Sequence, residues 1–154
     1  MQKLYSKEVP SKVEQARNGY RVNYHIRETT FEELLELWKE SGRSEEGDVP
    51  TKDFADENKY VYNSVSVPMG QWSYGGIVNA IIRDKYKVDE MESITNNMAA
   101  INAAFMQELV SGGIVEAIRY LKESADSEDT EIFKQMQEWR AMAKKEAKSI
   151  IKNG

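Results

Sequence analysis

The chain has 154 residues, the size of one ordinary domain, and a net charge of −5 at neutral pH. An acidic chain is a poor general binder of nucleic acid, because the phosphate backbone repels it. The absence of cysteine excludes disulfides, thiolate catalysis and zinc sites built on cysteine. There is no run of about 18 consecutive apolar residues and residues 1–15 are polar, so we expect neither a membrane span nor a signal peptide.

The first nineteen residues show no hydrophobic periodicity, and we interpret residues 1–19 as an extended arm or loop. From Tyr20 to Arg27, apolar and polar residues alternate strictly. A period of two is typical of a half-buried strand. The predicted strand, residues 20–27, places Tyr20, Val22, Tyr24 and Ile26 on one face and Arg21, Asn23, His25 and Arg27 on the other.

A short amphipathic helix is predicted after this strand. Thr30 and Glu33 have the spacing of a capping box, and apolar residues recur at helical intervals as far as Gly42. Residues 43–58 contain Gly47 and Pro50 among an excess of acids, which predicts an acidic loop.

Residues 60–67 form the second predicted strand, which Pro68 ends because proline cannot donate to a strand ladder. The alternation places Val61, Val65 and Val67 on one face and Tyr60 and Tyr62 on the other. Two strands alone are only marginally stable, so they need a helix, the N-terminal arm or a second chain as a partner.

An exposed aromatic face commonly marks an interface. We therefore predict a partner-binding contact made by Tyr60 and Tyr62 together with Leu4 and Val9 of the arm. Whether the arm of the same chain or a second chain covers the tyrosine face stays open at this point.

The remainder, residues 73–151, has helical periodicity, which predicts helices over residues 74–86, 90–110 and 131–151. Gly112 and Gly113 break the pattern before a shorter helix that runs to Leu121, and residues 124–130 read as a polar turn. We predict one α+β domain over residues 20–154. It is helix-dominated, with a small antiparallel β-sheet from the N-terminal half packed on C-terminal helices.

Few residues could carry catalysis. His25 is the single histidine, and Asp48, Asp53 and Asp56 lack the spacing of a calcium-binding loop. The segment from Gly70 to Gly76 lacks the Gly-Lys-Ser/Thr ending of a phosphate loop, so we predict a tight turn in which Ser73 caps the next helix. We therefore expect no enzyme activity, no cofactor and no metal site. A pair of carboxylates that meets only in space stays open.

Charge is distributed unevenly along the chain. Residues 28–57 contain eleven acids and three bases, a local net charge of −8, whereas residues 134–152 contain six bases and two acids, a net of +4. These segments are consistent with solvated faces or with attraction to a charged partner. Trp139 lies on the apolar side of the last predicted helix, where we expect it to anchor the core. The opposite, basic side leaves weak nucleic-acid binding as an alternative function.

Four packing motifs occur in the second half of the chain. They are an aromatic-Gly turn, a helix ending in Arg-x-x-Tyr, a Glu-x-Glu-x-Ile helix reaching Asn-Asn, and a closing Gln-x-Trp-Arg-x-x-Ala-Lys helix. Their positions are Tyr74-Gly75-Gly76, Arg83 to Tyr86, Glu90 to Asn97, and Gln137 to Lys144. In these motifs residues 72–151 resemble small proteins encoded in the tail-gene region of phages and prophages, especially those of Bacteroides-type hosts. Relative to that pattern, residues 99–124 look like an insertion.

The resemblance implies where the protein works, but it implies no catalytic reaction. It implies a structural or assembly protein of the phage tail, acting through protein–protein contacts with other phage structural proteins or with itself as a homo-oligomer. Such a protein works in the host cytoplasm during assembly or in the virion, with no membrane partner. A cytoplasmic adaptor or regulator is the alternative.

Overall fold

The computed structural model describes residues 1–42, 50–125 and 127–153, with only the backbone of Asn153. Helices account for most of these residues, and the strands form one antiparallel sheet. The elements are β1 (Lys3–Ser6), β2 (Val13–Ala16), β3 (Gly19–Glu28), α1 (Phe31–Glu40), α2 (Lys52–Glu57), β4 (Tyr60–Pro68), α3 (Tyr74–Lys85), α4 (Val88–Ala125) and α5 (Glu128–Asn153), with a 3₁₀ turn at Met69–Gln71. The predicted class is confirmed: a helix-dominated α+β fold with a sheet from the N-terminal half packed against C-terminal helices.

The chain forms two compact units. The first contains Met1–Ala80 and Glu146–Gly154, and the second contains Ile81–Lys145. Along the sequence, the second unit is therefore an insertion in the first. β1 and β2, which lie in the predicted arm of residues 1–19, belong to the sheet of the first unit.

The sheet has the strand order β1-β4-β3-β2, which places both segments of the predicted arm at its edges. Leu4 of β1 lies opposite Tyr62 of β4, and Val13 of β2 lies opposite Val22 of β3. The interpretation of residues 1–19 as an arm or loop is corrected to two edge strands of four residues each. Strands this short reveal no alternation in sequence. Of the partners left open for the second strand, the N-terminal segment of the same chain is the one observed.

β3 departs from strict alternation at a bulge. Tyr24 lies opposite Asn63 and Arg27 lies opposite Val61, so two residues of β3 oppose one residue of β4. His25, inside the bulge, has a positive φ of 53°. A bulge residue shifts the pleat by one position. The predicted placement of Arg27 on the polar face is therefore wrong, since Arg27 shares the face of Val61.

The valine face of the sheet contributes to the core of the first unit. The register confirms that Val61, Val65 and Val67 share a face, because they pair with alternate positions of β3 and with Arg27 after the bulge. The buried apolar residues of this unit are Val22, Tyr24, Leu34, Trp38, Val61, Val67, Ile77, Val78, Ala147 and Ile150.

α1 begins with the predicted capping box. The Thr30 hydroxyl accepts from the Glu33 amide, and the Glu33 carboxylate accepts from the Thr30 amide, both at 3.3 Å. Arg27 also donates to both oxygens of this carboxylate, at 2.7 and 2.5 Å, and the Lys3 ammonium lies 3.6 Å away. Glu33 therefore ties α1 to β3 and to β1.

Part of the predicted acidic loop is helical. Residues 43–49 of that loop lie outside the described residues, but Lys52–Glu57 forms α2. The Thr51 hydroxyl accepts from the Phe54 amide at 3.3 Å and caps this helix. The loop prediction is wrong for these six residues. It was based on their acidic composition and overlooked Thr51 as a helix N-cap.

The glycine break predicted at Gly112 and Gly113 is confirmed within α4. Gly113 has φ 78° and ψ −173°, outside the helical region, and helical residues continue beyond it to Ala125. The connection between α4 and α5 is shorter than the predicted turn of residues 124–130, because α5 already begins at Glu128. The Ser127 hydroxyl accepts from the Thr130 amide at 3.3 Å in the first turn of α5. The buried apolar residues of the second unit are Ile81, Ile82, Tyr86, Ala117, Met136, Trp139 and Ala143.

Candidate functional site: an exposed apolar surface on α4

In the part of the chain that the structure describes, no group of three or more His, Asp or Glu side chains could hold a metal ion. His25 lies exposed in the β3 bulge. Asp53 and Asp56 lie on the short helix α2, and Asp48 lies outside the described residues. The absence of catalytic, cofactor-binding and metal-binding residues stays a prediction from sequence.

The Gly70–Gly76 segment forms the predicted tight turn. The Ser73 hydroxyl accepts from the Gly76 amide at 3.1 Å at the start of α3. A Cβ at Gly76 would lie 1.7 Å from the Gln71 carbonyl oxygen, so this position has no room for a side chain. The glycine has a packing role, and the turn has the structural function expected for it.

Trp139 is buried, as predicted. Its indole Nε1 donates to the Ile81 carbonyl at 3.0 Å, and the Lys85 ammonium lies 4.6 Å from the ring centroid. A Trp with a partner for its N–H and a cation over its face is an anchor of the second unit. It is not available to a binding partner.

The predicted contact residues are only partly brought together. Leu4 and Tyr62 are half-buried and directly opposite each other, and Tyr60 shares their face of the sheet, opposite Ser6. Val9 lies between β1 and β2 and is 63% exposed. The structure thus brings three of the four residues to one face, and the bulge of β3 opposes Tyr62 on its other side.

The largest group of exposed apolar side chains lies on α4, around the break at Gly113. Each has between 46% and 84% of its surface exposed. We call this group the α4 apolar surface, and its members are Met106, Val110, Ile114, Val115, Ile118 and Leu121. Scattered exposed apolar residues are normal on a soluble protein. Six of them close together along one helix are the kind of feature that marks an interaction site.

α4 is the one helix of the described residues that is long and apolar enough to cross a membrane. Its most apolar window has a mean hydropathy of 1.3, and none of that window is buried. Core helices of soluble proteins pass the same test by composition, but they are mostly buried. The helix predicted over residues 90–110 contains no uninterrupted apolar run, because Asn102, Gln107 and Glu108 interrupt its apolar residues.

Beyond Gly113, α4 carries a stripe of exposed apolar residues. Ala117, in the same stretch of the second unit, is only 1% exposed. Ile114, Ile118 and Leu121 follow at intervals of four and three residues, so they form one stripe on the open side. This pattern reverses the usual arrangement, in which the larger apolar residues face the core.

The first unit contains a cavity of about 580 Å³, which is within the size range of ligand sites. The Tyr20 and Trp72 rings form part of its wall, with centroids 4.3 Å apart, and the Lys12 ammonium donates to the Ser149 hydroxyl at 2.8 Å. Its lining residues are Lys12, Val13, Tyr20, Trp72, Ser149, Ile150 and Ile151. This site could not be predicted from local sequence patterns, because Lys12 and Ser149 are 137 residues apart.

No protein-family model matches the chain, and no curated protein or solved structure is significantly similar to it. Among the described residues, the α4 apolar surface is the group with the most exposed large apolar side chains.

Proposed function

We propose that this chain is a structural or assembly protein of a phage tail region that acts through protein–protein contacts and catalyses no reaction. The observation that carries the proposal is the α4 apolar surface, on a helix whose apolar window has no buried residue. The setting is supported by the resemblance of residues 72–151 to small proteins of phage tail-gene regions. The segment that looked like an insertion in that pattern, residues 99–124, contains the whole surface.

A protein partner suits this surface better than a lipid bilayer does. Glu108 lies within the apolar part of α4, and a carboxylate in hydrocarbon is strongly unfavourable. Gly113, between Val110 and Ile114, has a non-helical backbone conformation. Backbone groups without partners are unfavourable in hydrocarbon, whereas a protein partner or water can satisfy them.

Mass spectrometry of purified virions and of assembly intermediates tests the proposal. We expect this chain in virions, in tail intermediates, or in complexes with tail-region proteins. Replacing Ile118 with Ser should remove it from those particles or complexes, because Ile118 lies in the exposed stripe. Its absence from all of them, in a host that produces tails normally without the chain, would reject the function.

A second candidate function rests on the basic side of α5. Lys144, Lys148 and Lys152 are exposed and follow at intervals of four residues, close to one helical turn, and Lys145 is exposed beside them. A lysine side of this kind can contact nucleic-acid phosphates, and such binding weakens steeply with salt. Salt-dependent binding to DNA that is lost when Lys144 and Lys148 are replaced with Gln would favour this candidate.

A further inference from the structure

We infer that the partner of the α4 apolar surface is a second copy of this chain, so that the protein is a reversible dimer joined through α4. This inference deepens the proposed function and rests on it. Three properties of the surface favour a second copy as its partner.

The first property is the spacing of the exposed residues. Ile114, Ile118, Leu121 and Ala125 are exposed and follow at intervals of four, three and four residues. We call these four residues the outward seam. A repeat of alternating three and four residues is the pattern by which one helix packs along another. The seam therefore fits a helical partner better than a strand, a loop or a small molecule.

The second property is the distribution of charge around the outward seam. Glu116 and Arg119 form an ion pair with each other, and on a helix both positions lie away from the direction of Ile118. Among the residues that the structure describes, Lys122 is the one charged residue next to the seam, and its long alkyl chain can cover apolar surface while its ammonium stays in water. Because nothing charged lies on the seam, a second copy can meet it without burying an unpaired charge.

The third property is area. The six side chains of the α4 apolar surface leave on the order of 400 Å² of apolar surface open on one copy. A stable specific interface buries about 800 Å² per partner, roughly half of it apolar, with polar groups at the rim. Two copies that cover all six side chains on each other would therefore bury about the apolar share of an interface of that size. We expect the dimer to be reversible, because area by itself does not give tight binding.

Symmetry makes the same chain a suitable occupant. In a twofold contact each copy presents the same patch, so one apolar seam covers the other and both are removed from water. A single copy would leave these residues facing solvent at every concentration. A second copy covers them without any additional protein.

Sedimentation equilibrium of the full chain, from low to high micromolar concentration, tests the inference. We expect the average mass to rise from one chain to two. Ile118→Ser should raise the dissociation constant by at least about tenfold, because it places a hydroxyl in the centre of the seam. Glu123→Ser is the matched control: it alters an exposed residue of the same helix outside the seam and should leave the dissociation constant unchanged.

Circular dichroism checks that a loss of dimerisation in Ile118→Ser is not caused by unfolding. Ile118 is 46% exposed, so its replacement should leave helix content unchanged. A wild-type chain that stays monomeric throughout would overturn the inference, and so would an Ile118→Ser variant that dimerises like the wild type. Binding of the monomer to neutral phosphatidylcholine vesicles, lost in Ile118→Ser, would assign the surface to lipid and equally overturn it.

The outcomes separate the inference from the proposed function. A monomeric chain that still enters virions or binds tail-region proteins through Ile118 would reject the dimer and keep the function. A dimer that is absent from virions, from tail intermediates and from complexes with tail-region proteins would keep the dimer and reject the function.

Discussion

The indole Nε1 of Trp139 donates a 3.0 Å hydrogen bond to the backbone carbonyl of Ile81, joining residues 58 positions apart in sequence. The bond fixes α5 against α3 inside the second unit, and the Lys85 ammonium lies over the same ring. Truncating the Trp139 side chain therefore removes its packing, a hydrogen bond and a cation–π contact together.

Trp139→Ala should lower the free energy of unfolding by about 3–5 kcal/mol, the range for removing a buried aromatic side chain. Trp139→Phe retains most of the packing and should lose about 1–2 kcal/mol, mainly through the missing hydrogen bond. Urea denaturation measures both values. An alanine variant within about 1 kcal/mol of wild type would contradict the assignment of Trp139 as a core anchor.

Glu33 makes stability depend on pH. The two hydrogen bonds from Arg27 hold the pKa of the Glu33 carboxyl well below its usual range, at about 2, and the Thr30 amide and Lys3 also lower it. A depressed folded-state pKa contributes stability above the unfolded pKa of about 4.3, and this stability is lost as the pH falls toward 2.

Glu33→Gln should therefore lower the free energy of unfolding by about 1–2 kcal/mol at neutral pH, a value reduced by the partial exposure of Arg27. The difference from wild type should shrink steadily between about pH 5 and about pH 2. Glu36→Gln, at an exposed position of the same helix, is the control and should change little. A difference that stays constant across this pH range would refute the role of the Arg27–Glu33 pair.

Gly113 adopts a backbone conformation that only glycine reaches readily, with φ 78° and ψ −173°. Gly113→Ala should lower the free energy of unfolding by about 1–3 kcal/mol, since the break must either be strained or be lost. Gly75→Ala is the matched control, because a Cβ there meets nothing within 4 Å and alanine favours a helix. Thermal unfolding that ranks Gly113→Ala as stable as Gly75→Ala would show that the break is dispensable.

The tyrosine face of the sheet remains a second predicted contact. Replacing Tyr60 and Tyr62 together with Ser should weaken the proposed association with tail-region proteins by about tenfold, since interface aromatics contribute much of the binding energy. Helix content should be unchanged, because both residues lie on β4. Tyr74→Ser, at a 45% exposed position on α3, serves as the control. Equal affinities for all three chains, measured by calorimetry, would remove these tyrosines from the contact.

The sequence was sufficient to predict the longer elements, because their periodicity and caps are local. Thr30 with Glu33 marked the start of α1, and Gly112 with Gly113 marked the break in α4. The edge strands were missed because β1 and β2 are defined by their partners and not by their own residues. The bulge at His25 was missed for the same reason, since it exists only relative to β4.

The candidate site was harder to predict than the fold. Periodicity identified the apolar residues of α4 but not which of them the rest of the chain covers. Ala117 became buried while the larger Ile114 and Ile118 stayed exposed, a choice that depends on how α4 packs within its unit. The cavity lined by Tyr20 and Trp72 needed the Lys12–Ser149 contact, which no local pattern encodes.

The division of the first unit between residues 1–80 and 146–154 has a consequence for the order of folding on the ribosome. Residues 81–145 are continuous, so the second unit can complete its contacts as soon as they emerge. The first unit must wait until Ala147 and Ile150, both in its core, have been synthesised. Until then the first unit lacks part of its core, and this nascent chain is the stage at which we expect the protein to be most sensitive to aggregation.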